Sequence, residues 1–295
     1  MTAAFSFRGV TKRFGRTTAL DGVTLDVAPN HIVGLIGKNG SGKSTMLRHV
    51  VGLQLPTSGE CLTLGAPTAA LDAAELSRIG VVHQDDKFLT WMRVEQQIGF
   101  VASFHERWDA DLQDRLVSVL ELDPKARIRS LSPGNAQKMA IILAVCHHPS
   151  LLLLDEPLSD LDPIARETML AMLLERFRTD EMTIVISSHI LRDVERIVDS
   201  VVCLDRGRLV AHETLDALQE RYGEWILTST EGRLPTSFID PFVLDCRGDR
   251  HQAQLIVRDP AVHLVRFRER YGFEVAPRTL NLERVFPLLI GEVAS

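Results

Sequence analysis

The chain has 295 residues, about two ordinary domains' worth of sequence if roughly 150 residues per domain is the guide. At 45% hydrophobic and 24% charged it holds enough apolar material for a sizeable core, which excludes disorder as a description of the whole. Thirty-three Lys+Arg against 39 Asp+Glu give a formal net charge of −6, so no global basic field invites nucleic acid.

Four cysteines (Cys61, Cys146, Cys203 and Cys246) lie far apart without a CxxC pair. That pattern excludes a disulfide scaffold and a zinc ribbon, and fits a reducing compartment. The longest apolar run, Met139 to Cys146, falls far short of the roughly 20 residues needed to cross a bilayer. The start, MTAAFSFRG, lacks a basic region followed by an apolar stretch, so the expectation is a chain made and kept in the cytosol.

In chain order, Phe5 to Leu25 alternates in a way that predicts antiparallel strands beside the main sheet. Ile32 to Ile36 reads as a buried strand, and Lys43 to Leu53 as a helix. Further buried strands are predicted at Ile79 to Val82, Leu151 to Leu154, Thr183 to Ser187 and Ser200 to Leu204. Buried strands alternating with helices imply a mainly parallel α/β sheet covered on both faces. Between Gln84 and His148 amphipathic patterns take over, with helices predicted at Val94 to His105 and Asp109 to Leu120, so a helical insertion of about 86–148 is expected. Pro163 starts another helix, with Asp162 as its N-cap. After about Tyr222 the texture changes. Short strands around Trp225, Phe242 and Gln254, then helices at Ala261 to Tyr271 and Leu282 to Ile290, predict a small C-terminal α+β domain at 222–295 after a domain at 1–221.

Gly37-Lys38-Asn39-Gly40-Ser41-Gly42-Lys43-Ser44-Thr45 fits G-x-x-x-x-G-K-[ST] between a buried strand and a helix. Glycines let successive backbone N–H groups converge on phosphate oxygens, and the helix start adds the positive end of its dipole. Lys43 is suited to the β- and γ-phosphates of ATP, and the Ser44 hydroxyl to Mg²⁺. Leu151 to Leu154 then delivers Asp155 and Glu156 to the sheet edge where that loop lies. Asp155 is suited to hold Mg²⁺ through a water, and Glu156 to polarise a water attacking the γ-phosphate.

With these two halves in place, about Phe5 to Tyr222 resembles the ATP-binding subunits of ABC transporters. Five further pieces follow in that family's order. Lys12-Arg13-Phe14-Gly15 is similar to the adenine-stacking segment, with Phe14 as the ring. Gln84 matches the glutamine that contacts Mg²⁺ and reports to the membrane partner. Leu131-Ser132-Pro133-Gly134-Asn135 stands where the LSGGQ signature belongs. Ser159-Asp160-Leu161-Asp162 resembles the D-loop, and His189 the switch histidine that bonds the γ-phosphate. The resemblance implies a P-loop ATPase fold with an antiparallel β subdomain and a helical subdomain, using ATP and Mg²⁺.

The signature departs from the family: Pro133 replaces a glycine and Asn135 a glutamine. Ser132 can still cap the following helix, with proline acceptable at its first position, and the stretch from Ala136 to His147 reads as its core-packing part. The resemblance makes Ser132 and Gly134 contacts to ATP held by a second subunit, so a homodimer or heterodimer is implied. His31 reads as a surface turn residue, and His147-His148 before Pro149 as a contact to a helix dipole.

The implied activity is ATP hydrolysis that powers transport through separate membrane-spanning permease subunits, placing the chain on the cytoplasmic face of the membrane. The variant signature, Arg107-Trp108-Asp109 and the added C-terminal domain resemble the export-type branch. An importer subunit, a nucleotide-gated regulatory module with weak hydrolysis and a soluble ribosome- or DNA-directed member are the alternatives. The single cassette, the absence of a heptad run and the acidic charge weigh against the last. For the tail, dimerisation or regulation is what the resemblance implies.

Overall fold

A computed structural model describes residues 3–84, 87–229 and 234–294. Residue 86, the expected start of the helical insertion, lies outside the described residues. The chain divides into two compact units, Met1–His212 and Glu213–Ser295.

The first unit opens with β1 (Phe5–Phe14) and β2 (Thr17–Val27), then β3 (Ile32–Gly37) and α1 (Lys43–Val50). β4 (Ser58–Thr63), β5 (Ala66–Pro67), the short α2 (Ala73–Leu76) and β6 (Ile79–Val82) follow. Helices α3 (Val94–Ala102), α4 (Ala110–Val119) and α5 (Pro133–Val145) form the helical stretch. After them come β7 (Leu151–Asp155), α6 (Pro163–Asp180), β8 (Thr183–Ser187), α7 (Leu191–Glu195), β9 (Ser200–Asp205) and β10 (Arg208–Thr214).

Two sheets result. Strands β2-β1-β4-β5 form an antiparallel sheet, and β10-β9-β3-β8-β7-β6 form the central one. From β9 to β6 every pairing in the central sheet is parallel, which fits strands that are apolar on both faces. One core joins the sheets: Phe5, Phe7, Val10 and Leu20 cluster with Met46 and Leu47 of α1 and with Val33, Leu35, Leu151 and Leu153. Alternate residues Leu152, Leu154, Ile184 and Ile186 are equally buried, as the two-residue period of a strand requires. Each such leucine contributes about 1.5–3 kcal/mol through burial.

The expected strands are present, and the helix ends differ for local reasons. α1 stops at Val50 rather than Leu53 because Gly52 takes a left-handed turn (φ 70°). α5 begins at Pro133 with Ser132 as its cap, as expected: proline at the first position forfeits no helical hydrogen bond, and the Ser132 Oγ accepts from the Asn135 N–H at 3.2 Å. α3 ends at Ala102, three residues before His105, and Asp109 caps α4 instead of opening it.

The second unit comprises α8 (Leu215–Arg221), β11 (Tyr222–Thr228), β12 (Val243–Gly248), β13 (Gln252–Arg258), α9 (Pro260–Tyr271), β14 (Glu274–Thr279) and α10 (Leu282–Ala294). Its antiparallel sheet has the order β12-β13-β11-β14. Trp225, Leu255, Val257, Phe267 and Val275 make its core, with Trp225 and Phe267 rings 5.0 Å apart. β14 has no counterpart in the sequence reading because Pro277 argues against a strand; the structure places it at an edge, where a missing N–H is tolerated. α8 begins this unit ahead of the expected boundary at 221/222. Arg266 and Arg268 are exposed, and Arg270 pairs with Asp240 at 2.7 Å.

Burial pushes the Cys61, Cys146 and Cys203 thiols up to about 12, so they stay protonated as small core residues. Among the described residues, no helix is long and apolar enough to cross a membrane.

The His147-His148 pair differs from the expected dipole contact. His148 turns left-handed (φ 54°), with its Nε2 3.0 Å from Asp109 Oδ2 and its Nδ1 2.7 Å from Arg176. His147 is buried and stacked on His105 at 4.1 Å. Burial lowers its pKa from 6.5 to about 4. The folded form therefore binds this proton later than the unfolded chain as pH falls, and the contribution is intact above pH 6.5 and gone by about pH 4. Replacing His147→Phe, which keeps a ring against His105, is expected to remove up to about 3 kcal/mol of that acid-dependent loss. Urea unfolding at pH 7 and pH 4.5 checks this: the wild type should lose more stability between the two than the variant.

Candidate functional site

The loop between β3 and α1 is built around two left-handed glycines, Gly40 (φ 78°) and Gly42 (φ 109°). Gly42 is the N-cap of α1, and no side chain caps the helix there. Its first N–H groups are thus left for a ligand, at the positive end of the helix dipole. A Cβ on Gly42 would stand 2.6 Å from the Ala19 carbonyl oxygen and 2.9 Å from the Leu20 side chain. No other residue fits this backbone so close to β2.

Lys43 is buried, and its Nζ donates to the Gly37 carbonyl at 2.9 Å. It also stands 3.7 Å from Glu156 Oε1, itself buried. Asp155, 1% exposed, accepts at Oδ1 from the Ser187 hydroxyl at 2.7 Å. The other oxygen, Oδ2, is buried with no hydrogen-bond partner among the described residues. Glu156 takes the left-handed conformation (φ 51°), and its N–H donates to Ser187 Oγ at 2.9 Å. Glu156 Oε2 accepts from the His189 backbone N–H at 3.2 Å and lies 2.7 Å from His189 Nδ1. Because a carboxylate oxygen only accepts, Nδ1 carries the hydrogen of this contact.

These groups surround a cleft of about 500 Å³ lined by Phe14, Asn39 through Thr45, Gln84, Glu156 and His189. Phe14 is 48% exposed at the β1–β2 hairpin, with Lys12 Nζ 5.1 Å from its ring centre, so its face is open to stack on a flat ring. The arrangement has a cradle for phosphates, a buried cation, a buried carboxylate and an aromatic face, which together suit a nucleoside triphosphate. Ser44 and Gln84 line the cleft and offer oxygen donors to a hard cation. Asp155 does not line it but directly precedes Glu156, which does, and its Oδ2, without a partner among the described residues, fits such a cation reached through a bound water.

Most residues singled out in the sequence meet here; a few do not. Gly37 and Lys38 do not line the cleft. Gly37 holds Lys43, and the Lys38 carbonyl accepts from the Ser41 N–H at 3.0 Å. Ser132 and Gly134 also lie off the cleft. Gly134 packs on the Ser159–Asp162 turn so closely that a Cβ would be 2.6 Å from the Asp160 carbonyl oxygen. Thr17, Thr18, Ala19 and Ser159 line the cleft without having been singled out for it, the first three because the hairpin folds back beside the loop. Ser187 was also overlooked; its one signal is a polar residue closing an otherwise apolar buried strand, Thr-Ile-Val-Ile-Ser.

The ABC transporter family model matches residues 20–159. The Nod factor export ATP-binding protein I of Rhizobium sp. (strain N33) is 30% identical over 299 residues, covering 98% of this chain and 97% of that protein. The methionine import ATP-binding protein MetN of Rhizobium johnstonii is 36% identical, but covers 68% of this chain and 58% of that one. Among solved structures, an ATP-binding subunit of an ABC transporter superposes with a TM-score of 0.67 at 27% identity, covering 73% of this chain and 92% of that chain. The dimeric post-hydrolysis state of the ATP-binding cassette MJ0796, bound to ADP and Pi, has a TM-score of 0.64 at 26% identity, over 72% of this chain and 98% of that chain.

Strain of about 1–3 kcal/mol is expected from Gly42→Ala. Relieving it by moving the loop should weaken binding of a fluorescent nucleoside triphosphate about tenfold or more, with the circular dichroism spectrum unchanged. Fluorescence titration of the variant checks this.

Proposed function

Because this chain belongs to the ABC transporter family as an ATP-binding subunit, we propose that it hydrolyses ATP to power export of a substrate through separate membrane-spanning subunits. The observation that carries the chemistry is Glu156: a buried carboxylate between Lys43 and His189, at the mouth of the phosphate loop. Alignment of the Nod factor exporter along 98% of this chain, second unit included, favours export over import, since the methionine importer covers only 68%.

In this reading ATP stacks its adenine on Phe14 and lays its phosphates in the Gly37–Thr45 loop (the Walker A segment), where backbone N–H groups and Lys43 neutralise them. Ser44 and Gln84, with Asp155 through a water, would hold Mg²⁺, which would supply charge neutralisation at the β- and γ-phosphates. Glu156 takes the proton of a water as its oxygen attacks the γ-phosphorus and the bond to the β-phosphate oxygen breaks. The products are ADP and inorganic phosphate. His189 orients Glu156 through Nδ1, and its Nε2 would bond the γ-phosphate as a donor, with a second hydrogen on the ring. Catalysis is positioning plus charge neutralisation.

A second ATP-binding subunit, identical or related, completes each site with its Ser132 and Gly134. Pro133 is compatible with this closure, since it starts α5 without forfeiting a helical hydrogen bond. Gln84 and the following helix α3 face the permease, which holds the subunit on the cytoplasmic side of the membrane. The first unit carries the chemistry and the second is an accessory domain.

Glu156→Gln is expected to lower ATP turnover about 100-fold or more, as loss of a general base does. ATP affinity should stay within about threefold of the wild type, because the amide keeps the shape of the site. Size-exclusion chromatography with ATP should then show a persistent dimer. Unchanged turnover would remove Glu156 as the base.

A further inference from the structure

We propose that Ser187 is a positioning residue of the ATPase site, one hydroxyl that sets both carboxylates of the Asp155–Glu156 pair. Ser187 ends β8, paired in parallel register with Asp155 on one side and Leu35 on the other, and it is fully buried. Its Oγ donates to Asp155 Oδ1 at 2.7 Å and accepts from the Glu156 N–H at 2.9 Å. A serine hydroxyl has one hydrogen to give, and here it goes to a charge-bearing group while a lone pair takes a main-chain donor. Two consecutive residues are thereby held through different groups, the side chain of the first and the backbone of the second.

Each bond has a consequence for the chemistry. With Oδ1 occupied by the Ser187 hydroxyl, the rotation of the Asp155 carboxylate is fixed, and Oδ2, which has no partner among the described residues, is the one oxygen left to serve a cation or its bound water. Glu156, meanwhile, sits at φ 51°, a conformation that residues with a side chain keep only where the surroundings hold it. Its N–H would be a buried donor without a partner if the Ser187 hydroxyl were gone. Two residues further on, His189 bonds the Glu156 carboxylate through both its backbone N–H and Nδ1. The end of β8 therefore grips Glu156 at the main chain and at the side chain. Losing the Ser187 bond leaves only the second grip, and a base displaced by a fraction of an ångström loses turnover before it loses substrate.

This inference rests on Asp155 serving the cation and Glu156 the water. The full chain carrying Ser187→Ala tests it by two measurements: steady-state ATPase kinetics, and binding of Mn²⁺ in the presence of ADP followed by electron paramagnetic resonance. The expected result is kcat lower by about tenfold or more, KM for ATP within about twofold, and Mn²⁺ affinity weaker by about tenfold. A residue needed only for packing would leave the Mn²⁺ affinity untouched in a folded variant. Values of kcat and Mn²⁺ affinity both within about twofold of the wild type overturn the proposal. Should the alanine variant not fold, Ser187→Cys, close in size and a weak hydrogen bonder, decides on the same two readouts: wild-type values overturn the proposal and losses in both support it. Glu156→Gln run alongside separates the two levels, because undiminished turnover there removes the underlying site assignment whatever Ser187→Ala does.

Discussion

Parallel pairing of β3, β8, β7 and β6 is the constraint on which the rest of the first unit depends. Parallel strands end on the same edge, so everything that follows a strand arrives at one place. After β3 comes the phosphate loop, after β7 the Asp155–Glu156 pair, after β8 His189 and after β6 Gln84. The register makes this exact to the residue: Leu35, Ser187 and Asp155 form one row across three strands. Lys43 and Glu156, far apart in the chain, are thereby brought to 3.7 Å.

At that edge the protein keeps charge and strain that would be unfavourable elsewhere. Lys43 and Glu156 are both buried, and a buried charge is tolerated only with an opposite charge or hydrogen bonds beside it. The Gly37 carbonyl, His189 and the mutual Lys43–Glu156 contact supply them. The unpaired groups are as telling: Asp155 Oδ2 and Ser41 Oγ are buried without partners, and α1 starts with no capping side chain. Ser41 lines the cleft and Asp155 directly precedes Glu156, which also lines it, so a ligand bound there is placed to satisfy groups that have no partner among the described residues. The left-handed Glu156 belongs to the same account, as strain that the neighbouring strand holds in place.

Much of this was legible in the chain before any coordinates. The phosphate loop was readable because its glycines, lysine and hydroxyl stand at fixed local spacing, and the Leu151–Glu156 segment because four leucines ending in two acids have few other uses. The central strands were equally plain, being short apolar runs between breakers. An element that carries a local contradiction was not: β14 contains Pro277, whereas Ser132 as the cap and Pro133 at the first position of α5 were readable. Ser187 escaped because a serine after an apolar strand is ordinary in sequence, and its meaning comes from partners about thirty positions earlier. His148 was read as a helix-end contact, whereas its partners Asp109 and Arg176 lie on two other helical segments.

By itself, then, the sequence determined the chemistry that local spacing encodes: a phosphate cradle, a pair of acids, a ring before a turn, and a mainly parallel sheet to carry them. Those features depend on neighbours a few residues apart, where φ preferences and periodicity act directly. Only the tertiary structure decided which groups touch. It set Lys43 against Glu156, put the histidine hydrogen on Nδ1, gave one serine hydroxyl two acceptor and donor duties, and drew Gly134 against the Asp160 carbonyl rather than into the cleft of its own chain. The physical reason is that strand order and register are fixed by burial across the whole sheet, a long-range energy that no single segment contains.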